Sequence, residues 1–173
     1  LPGSLFILAF LIISAANGHH YYVWMNPDFY NPESEHYDKI LVGKSWWLNT
    51  PFWMIRAFIF LLGWNIYRYF AVKFSLAQDA SKDLTYYKKS MKIAIYFLLF
   101  FVVLESMMSW DWIMSLTPHW YSTIFGVYIF AGSLVSGMAF FSVMLMILRR
   151  CGYLKDVVTI EHFHDIGKLL YGF

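Results

Sequence analysis

A succession of long apolar runs constrains this chain more than any other feature. The stretch from Ser122 to Leu148 contains no charged residue, and two others, 51–74 and 91–116, carry only scattered charges. A helix rises about 1.5 Å per residue and needs roughly 20 residues to cross about 30 Å of hydrocarbon. All three runs are that long. A fourth, at 4–22, opens the chain, and a further helix is expected to start near residue 164. The expected fold class is therefore all-α, a polytopic transmembrane helical bundle with at least four transmembrane helices at about 4–22, 51–74, 91–116 and 122–148. An outer-side loop at 23–50 and a cytoplasmic loop at 75–90 would join them within a single transmembrane domain. Composition points the same way: 60% of the residues are hydrophobic, 22% aromatic and only 14% charged. A soluble domain runs nearer 45–50% apolar and about 25% charged, and a chain of this size leaves much of itself at the surface.

The chain opens at Leu1 inside an apolar run and stops at Phe173 as another run begins, so we read it as a fragment of a longer protein. The first run lacks the basic flank and the convincing cleavage site of a signal peptide.

Charge placement orients the spans. Lys73, Lys82, Lys88, Lys89 and Lys92 lie in or beside the 75–90 loop, and Arg149, Arg150 and Lys155 follow the fourth span. Alternating helices put both groups on one side of the membrane. The opposite side has Lys39 and Lys44 in its long loop and no Lys or Arg in the turn between the third and fourth spans. The positive-inside rule makes the basic side cytoplasmic. Trp46, Trp47 and Trp53 fall where the second span enters the membrane, as anchors of an interfacial aromatic belt would. Arg56 and Arg68, toward opposite ends of that span, are expected to snorkel to the two interfaces. The small pairs Gly132 with Ser136 and Ser133 with Gly137 are expected to let another helix approach closely.

Ionisable groups inside a bilayer are costly, so each is a functional candidate. Glu105 lies about two-thirds of the way through the third span, with Ser109 and Trp112 on the same helical face. Burial there favours the neutral acid. Such a group can carry a proton, or it can simply be hydrogen-bonded to a neighbouring helix. Asp111 and His119 bracket the turn before the fourth span, among Trp110, Trp112 and Trp120. A quinol headgroup asks for such surroundings: hydrogen-bond acceptors, a base and flat aromatic walls. An interfacial turn with capping side chains has the same composition, so both readings stay open.

Several classes are disfavoured. Cys151 is the only cysteine, which removes an internal disulfide, a Cys-rich zinc site and a Cys-ligated iron–sulfur cluster. The histidines, His19, His20, His36, His119, His162 and His164, fall in loops or at helix ends. That placement disfavours a membrane haem b and a copper–haem core. No lysine sits mid-span for a retinal Schiff base. A secondary transporter would need helices broken by Gly or Pro at mid-membrane, and the second to fourth spans have no proline there.

The stretch Ser109–Ser136, reading SWDWIMSLTPHWYSTIFGVYIFAGSLVS, resembles the NrfD-like (polysulfide-reductase-like) membrane proteins, as do NGHHY at 17–21 and HDIGKL at 164–169. Within that family the likeness is greatest to the second of the two NrfD-like components of alternative complex III, a bacterial quinol:cytochrome c oxidoreductase. The resemblance implies a larger parent of about ten helices in four-helix bundles, in the bacterial cytoplasmic (inner) membrane. It implies partners that carry the redox centres: a pentahaem cytochrome c, an iron–sulfur protein and a monohaem cytochrome c, together with a homologous NrfD-like sister chain. Nucleic acid is not among them. No cofactor is expected on this chain itself, although it would contact quinone or menaquinol, conduct protons, or both. Asp111, Trp112 and His119 are then the quinone-contact candidates. Glu105 and Asp111, with His162, His164 and Asp165 at the cytoplasmic end, are the proton-transfer candidates. The sister chain carries a Gly-Trp-His arrangement where this chain reads Pro118-His119-Trp120.

Overall fold

A computed structural model of the chain describes residues 2–16, 18–81 and 83–173. Lys82, one of the cations used to orient the spans, and Asn17 of the NGHHY motif lie outside them. Regular structure among the described residues is all helical, with no strand. The principal helices are α1 (Pro2–Ala16), α2 (Lys39–Lys44), α3 (Thr50–Asp79), α4 (Thr85–Trp112), α5 (Phe125–Arg150) and α6 (Ile160–Gly172). The chain forms two compact units, residues 1–123 and 124–173.

In the first unit α3 and α4 run antiparallel. Arg56 at the start of α3 meets Asp111 at the end of α4, while Trp64 and Tyr67 further along α3 meet Phe97 on α4. Close approach is possible because Gly63 has no side chain. A Cβ there would fall about 2.0 Å from the Phe100 ring. The ends of α3 explain its length. Asn49 accepts a hydrogen bond from the Phe52 N–H, with Pro51 in the first turn, and so caps the start. At the far end Gln78 donates to the Asp83 carbonyl and accepts from the Tyr87 N–H. Asp83 accepts from both the N–H and the hydroxyl of Thr85. Those side-chain bonds start α4 at Thr85 rather than near 91 and carry α3 to Asp79, so the expected 75–90 loop is mostly helix.

The 23–50 loop is folded too. Short 3-10 turns at Val23–Met25 and Pro27–Tyr30 precede α2, whose first N–H groups, from Ile40 and Leu41, are accepted by Asp38. This segment packs on the start of α3. The buried core of the unit is Leu11, Tyr22, Trp24, Leu41, Leu48, Trp53, Ala57 and Leu61.

In the second unit α5 ends at Arg150, followed by a turn and then α6, which starts at Ile160 rather than near 164. A capping box sets that start: Thr159 accepts from the His162 N–H, and the Thr159 N–H donates to His162 Nδ1.

Two helical stretches are long and apolar enough to cross a membrane, Thr85–Leu116 and Phe125–Arg150. Only 11% and 6% of their most apolar windows are buried, so their apolar side chains point away from the chain. The other two expected spans fall short of that standard. α1, at 15 residues, reaches about 22 Å of the roughly 30 Å required. α3 has length to spare at 30 residues, but Arg56, Asn65 and Arg68 dilute its apolar character.

Candidate functional site

The end of α4 holds a buried hydrogen-bonded cluster. Asp111 is fully buried at 0% exposed, and Arg56 is buried at 3%. Arg56 Nε donates to Asp111 Oδ2 at 2.5 Å and Nη2 donates to Oδ1 at 2.9 Å, a two-pronged pair that fits a planar guanidinium to a carboxylate. Trp47 Nε1 also donates to Oδ1, at 2.9 Å. The backbone carbonyl of Asp111 accepts from Trp53 Nε1 at 3.0 Å and from the Ser115 hydroxyl at 2.5 Å. One buried aspartate thus ties together α3, α4, the segment before α3 and the 3-10 turn at Met114–Leu116.

Arg56 is further confined between two rings. Its guanidinium carbon lies 4.2 Å from the centroids of both Trp47 and Phe52, an attractive arrangement for a cation. Nη2 donates to the Trp47 carbonyl at 3.1 Å. Nη1 is buried with no partner among the described residues. Tyr22 braces the cluster from the other side, donating its hydroxyl to the Trp112 carbonyl at 3.1 Å.

Beside the cluster lies a cavity of about 310 Å³. Its walls are chiefly aromatic, Trp46, Trp47, Trp110 and Trp120, with Lys44, Ser115 and Pro118 as further lining. Asp111 sits one layer behind, reached through Trp47. The Trp110 ring forms a wall, while its indole N–H is buried away from the cavity surface and has no partner among the described residues. Two contacts join the α2 segment to the turn after α4: the Lys44 ammonium donates to the Pro118 carbonyl, and His119 Nε2 lies 2.6 Å from Asp38 Oδ2. Burial pushes the Asp38 carboxyl up. The N–H groups of Ile40 and Leu41 together with the His119 ring outweigh it and hold the carboxyl below its usual range.

The quinone-contact candidates therefore take different places. Asp111 belongs to the buried ion pair. Trp112 is half-buried against Phe60, with ring centroids 5.5 Å apart. His119 is largely exposed and pairs with Asp38. Of the proton-transfer candidates, Glu105 is half-buried on α4. His162, His164 and Asp165 lie on α6 in the second unit, where His162 serves the capping box and Asp165 accepts from Lys168 at 3.1 Å.

Two expectations are corrected. Arg56 does not snorkel to an interface but turns inward, because Asp111 neutralises it and two rings shield it. Trp53 is a core residue at 0% exposed rather than an interfacial anchor, and of the three tryptophans at that point only Trp46 is well exposed, at 72%. From the sequence, Lys44 counts only as an outer-side charge, Trp47 only as an interfacial anchor, and Ser115 has no role. A signal for the pair was present: opposite charges at the same end of two consecutive antiparallel helices are expected to meet. The tryptophan donors left no comparable trace.

No family model matches this chain, and no curated protein matches it.

Proposed function

We propose that this chain is a multi-pass, NrfD-like component of a bacterial inner-membrane quinol:acceptor oxidoreductase related to alternative complex III. In this reading the run at 4–22, which α1 opens, is the first of four spans, α3, α4 and α5 are the others, and the chain contacts quinone without a redox cofactor of its own. The observation that carries the reading is the tryptophan-walled cavity at the end of α4. It is built in part from Trp110, Ser115, Pro118 and Trp120 of the stretch that resembles the family. Flat indole walls suit a quinone ring, and the Lys44 ammonium, with donors beyond the one given to Pro118, suits a carbonyl oxygen. Asp111 then acts as a positioning residue: it fixes Trp47, which forms one wall.

A second reading, a purely structural scaffold for redox-active neighbours, is favoured by one feature. The strongest acid at the site is already satisfied by Arg56, as in a structural ion pair.

Affinity purification of the full-length tagged protein from gently solubilised membranes, read by mass spectrometry and haem spectrum, tests membership of the complex. Co-purification of a multihaem cytochrome c and an iron–sulfur protein is the expected result. A lone haem-free protein would refute it. Trp110→Ala in the assembled complex then separates the two readings: a raised KM for quinol supports quinone contact, and an unchanged one leaves the scaffold.

A further inference from the structure

The end of α5 carries a second cavity, of about 510 Å³, lined by Met146, Arg149, Arg150, Lys155 and Phe163. Local backbone geometry assembles it. Gly152 takes φ +92°, a left-handed conformation that costs glycine little. This allows the Tyr153 N–H to reach back to the Leu148 carbonyl at 3.2 Å, a bond that ends the helix and reverses the chain. The Val158 N–H donates to the Leu154 carbonyl at 2.9 Å, and Val158 is buried. The ordered turn therefore returns Lys155 to the two arginines and starts α6 so that Phe163 closes the side.

Three cations share this cavity, and none has a carboxylate partner among the described residues. The acidic residues nearby in sequence, Asp156, Glu161 and Asp165, are exposed outside the lining. A concentration of like charge is unfavourable unless an anion or high-dielectric solvent relieves it. The cavity is also not wholly polar. Met146 and Phe163 form apolar walls, and exposed Phe140, Val143 and Ile147 continue an apolar track along α5.

We propose that this cavity binds the phosphodiester headgroup of an anionic phospholipid, with the acyl chains lying along α5. Arg149 and Arg150 supply forked donors matched to phosphate oxygens, and Lys155 adds a mobile point charge. The apolar track is what selects a lipid over a soluble phosphate. The proposal rests on α5 crossing the bilayer, as proposed above, so that its basic end lies at headgroup level.

The test uses the full-length protein in its native assembly, held in nanodiscs of phosphatidylcholine and titrated with phosphatidylglycerol, with bound lipid counted by native mass spectrometry. Wild type is expected to retain phosphatidylglycerol preferentially. At about 1 kcal/mol per cation near a membrane surface, the Arg149→Gln/Arg150→Gln/Lys155→Gln variant should lose affinity on the order of 100-fold. Lys155→Gln alone, in an exposed turn and safe for folding, should lose roughly 5-fold. Lys88→Gln/Lys89→Gln, on the same proposed side but outside the cavity, removes only non-specific attraction and should lose far less than the triple variant. Undiminished binding in the Lys155 and triple variants overturns the site, and so does an equal loss in the Lys88/Lys89 control. Displacement by millimolar inorganic phosphate, which is expected to have no effect, would overturn the lipid in favour of a soluble anion. Release of the wild type from membranes by alkaline carbonate would instead sink the span itself, whereas retention without phosphatidylglycerol preference would sink only the site.

Discussion

Replacing Asp111 by alanine strips Arg56 of both carboxylate oxygens while the fold still holds the guanidinium between Trp47 and Phe52, 3% exposed. Breaking a buried pair from one side costs about 3–5 kcal/mol, because the remaining charge is left without compensation. Trp47 also loses the acceptor for its indole N–H, worth about 1–3 kcal/mol for a buried group left unsatisfied. The two losses share an oxygen, Oδ1, so they do not add. We therefore expect Asp111→Ala to destabilise residues 1–123 by about 4 kcal/mol. Asp111→Asn keeps the shape and one acceptor and should cost less. Removing both charges, as Arg56→Met with Asp111→Leu, should cost only about 1–2 kcal/mol, since an apolar pair of similar volume replaces an ion pair that was expensive to desolvate. With each single variant, Arg56→Met and Asp111→Leu, costing about 4 kcal/mol, the coupling in the double-mutant cycle is about 6 kcal/mol. Unfolding in mixed micelles, followed by tryptophan fluorescence, measures it, because Trp47 donates to the Asp111 carboxylate and Trp53 to its backbone carbonyl, so both rings report on this junction of α3 and α4. A cost below about 1 kcal/mol for Asp111→Ala, or a double variant equal to the sum of the singles, would refute the pair as the tie between α3 and α4.

Other expectations concern the ends of the cavity and of α6. The carboxyl of Asp38 is held below its ordinary range, so its stabilising contribution is present above about pH 3.9 and is lost as pH falls through the depressed value. Hydrogen-exchange protection of the Ile40 and Leu41 amides should stay flat from about pH 7 to about 5 and fall only below roughly 4; a loss already in the higher part of that range would contradict this. Glu105→Gln in the assembled complex should lower the proton-to-electron ratio and leave assembly intact, and an unchanged ratio would remove Glu105 from any proton route. His162→Ala removes half of the capping box and should cost about 1 kcal/mol. Faster exchange at the Thr159 amide is the readout, and unchanged exchange would mean the cap is idle.

Much of the architecture was legible because it depends on local pattern. Apolar runs of helical length placed α3, α4 and α5, and Asn49-Thr50-Pro51 marked the start of α3 to within a residue. Boundaries set by side chains reaching across a turn were less legible. Nothing in the run of residues says that Gln78 will bond to Tyr87, nine positions on, and so extend both neighbouring helices. The 23–50 segment was read as a loop for the same reason. Its order comes from Trp24, Leu41 and Leu48 inserting into a core shared with α1 and α3. Hydropathy also understated α3, since a per-residue scale charges the full cost of Arg56 although Asp111 neutralises it.

Chemical character and length are properties of consecutive residues, and they settled what kind of molecule this is: an all-helical chain with long apolar helices and its acids confined to a few positions. Which of those acids is free to react is a different kind of property, because it depends on groups brought together from 55 to 64 positions away. In the sequence Asp111 reads equally as an open acceptor beside His119 or as a capping side chain of an interfacial turn. Tertiary packing instead sealed it behind Arg56 and Trp47, sent His119 to Asp38, and left the tryptophan-walled space beside them.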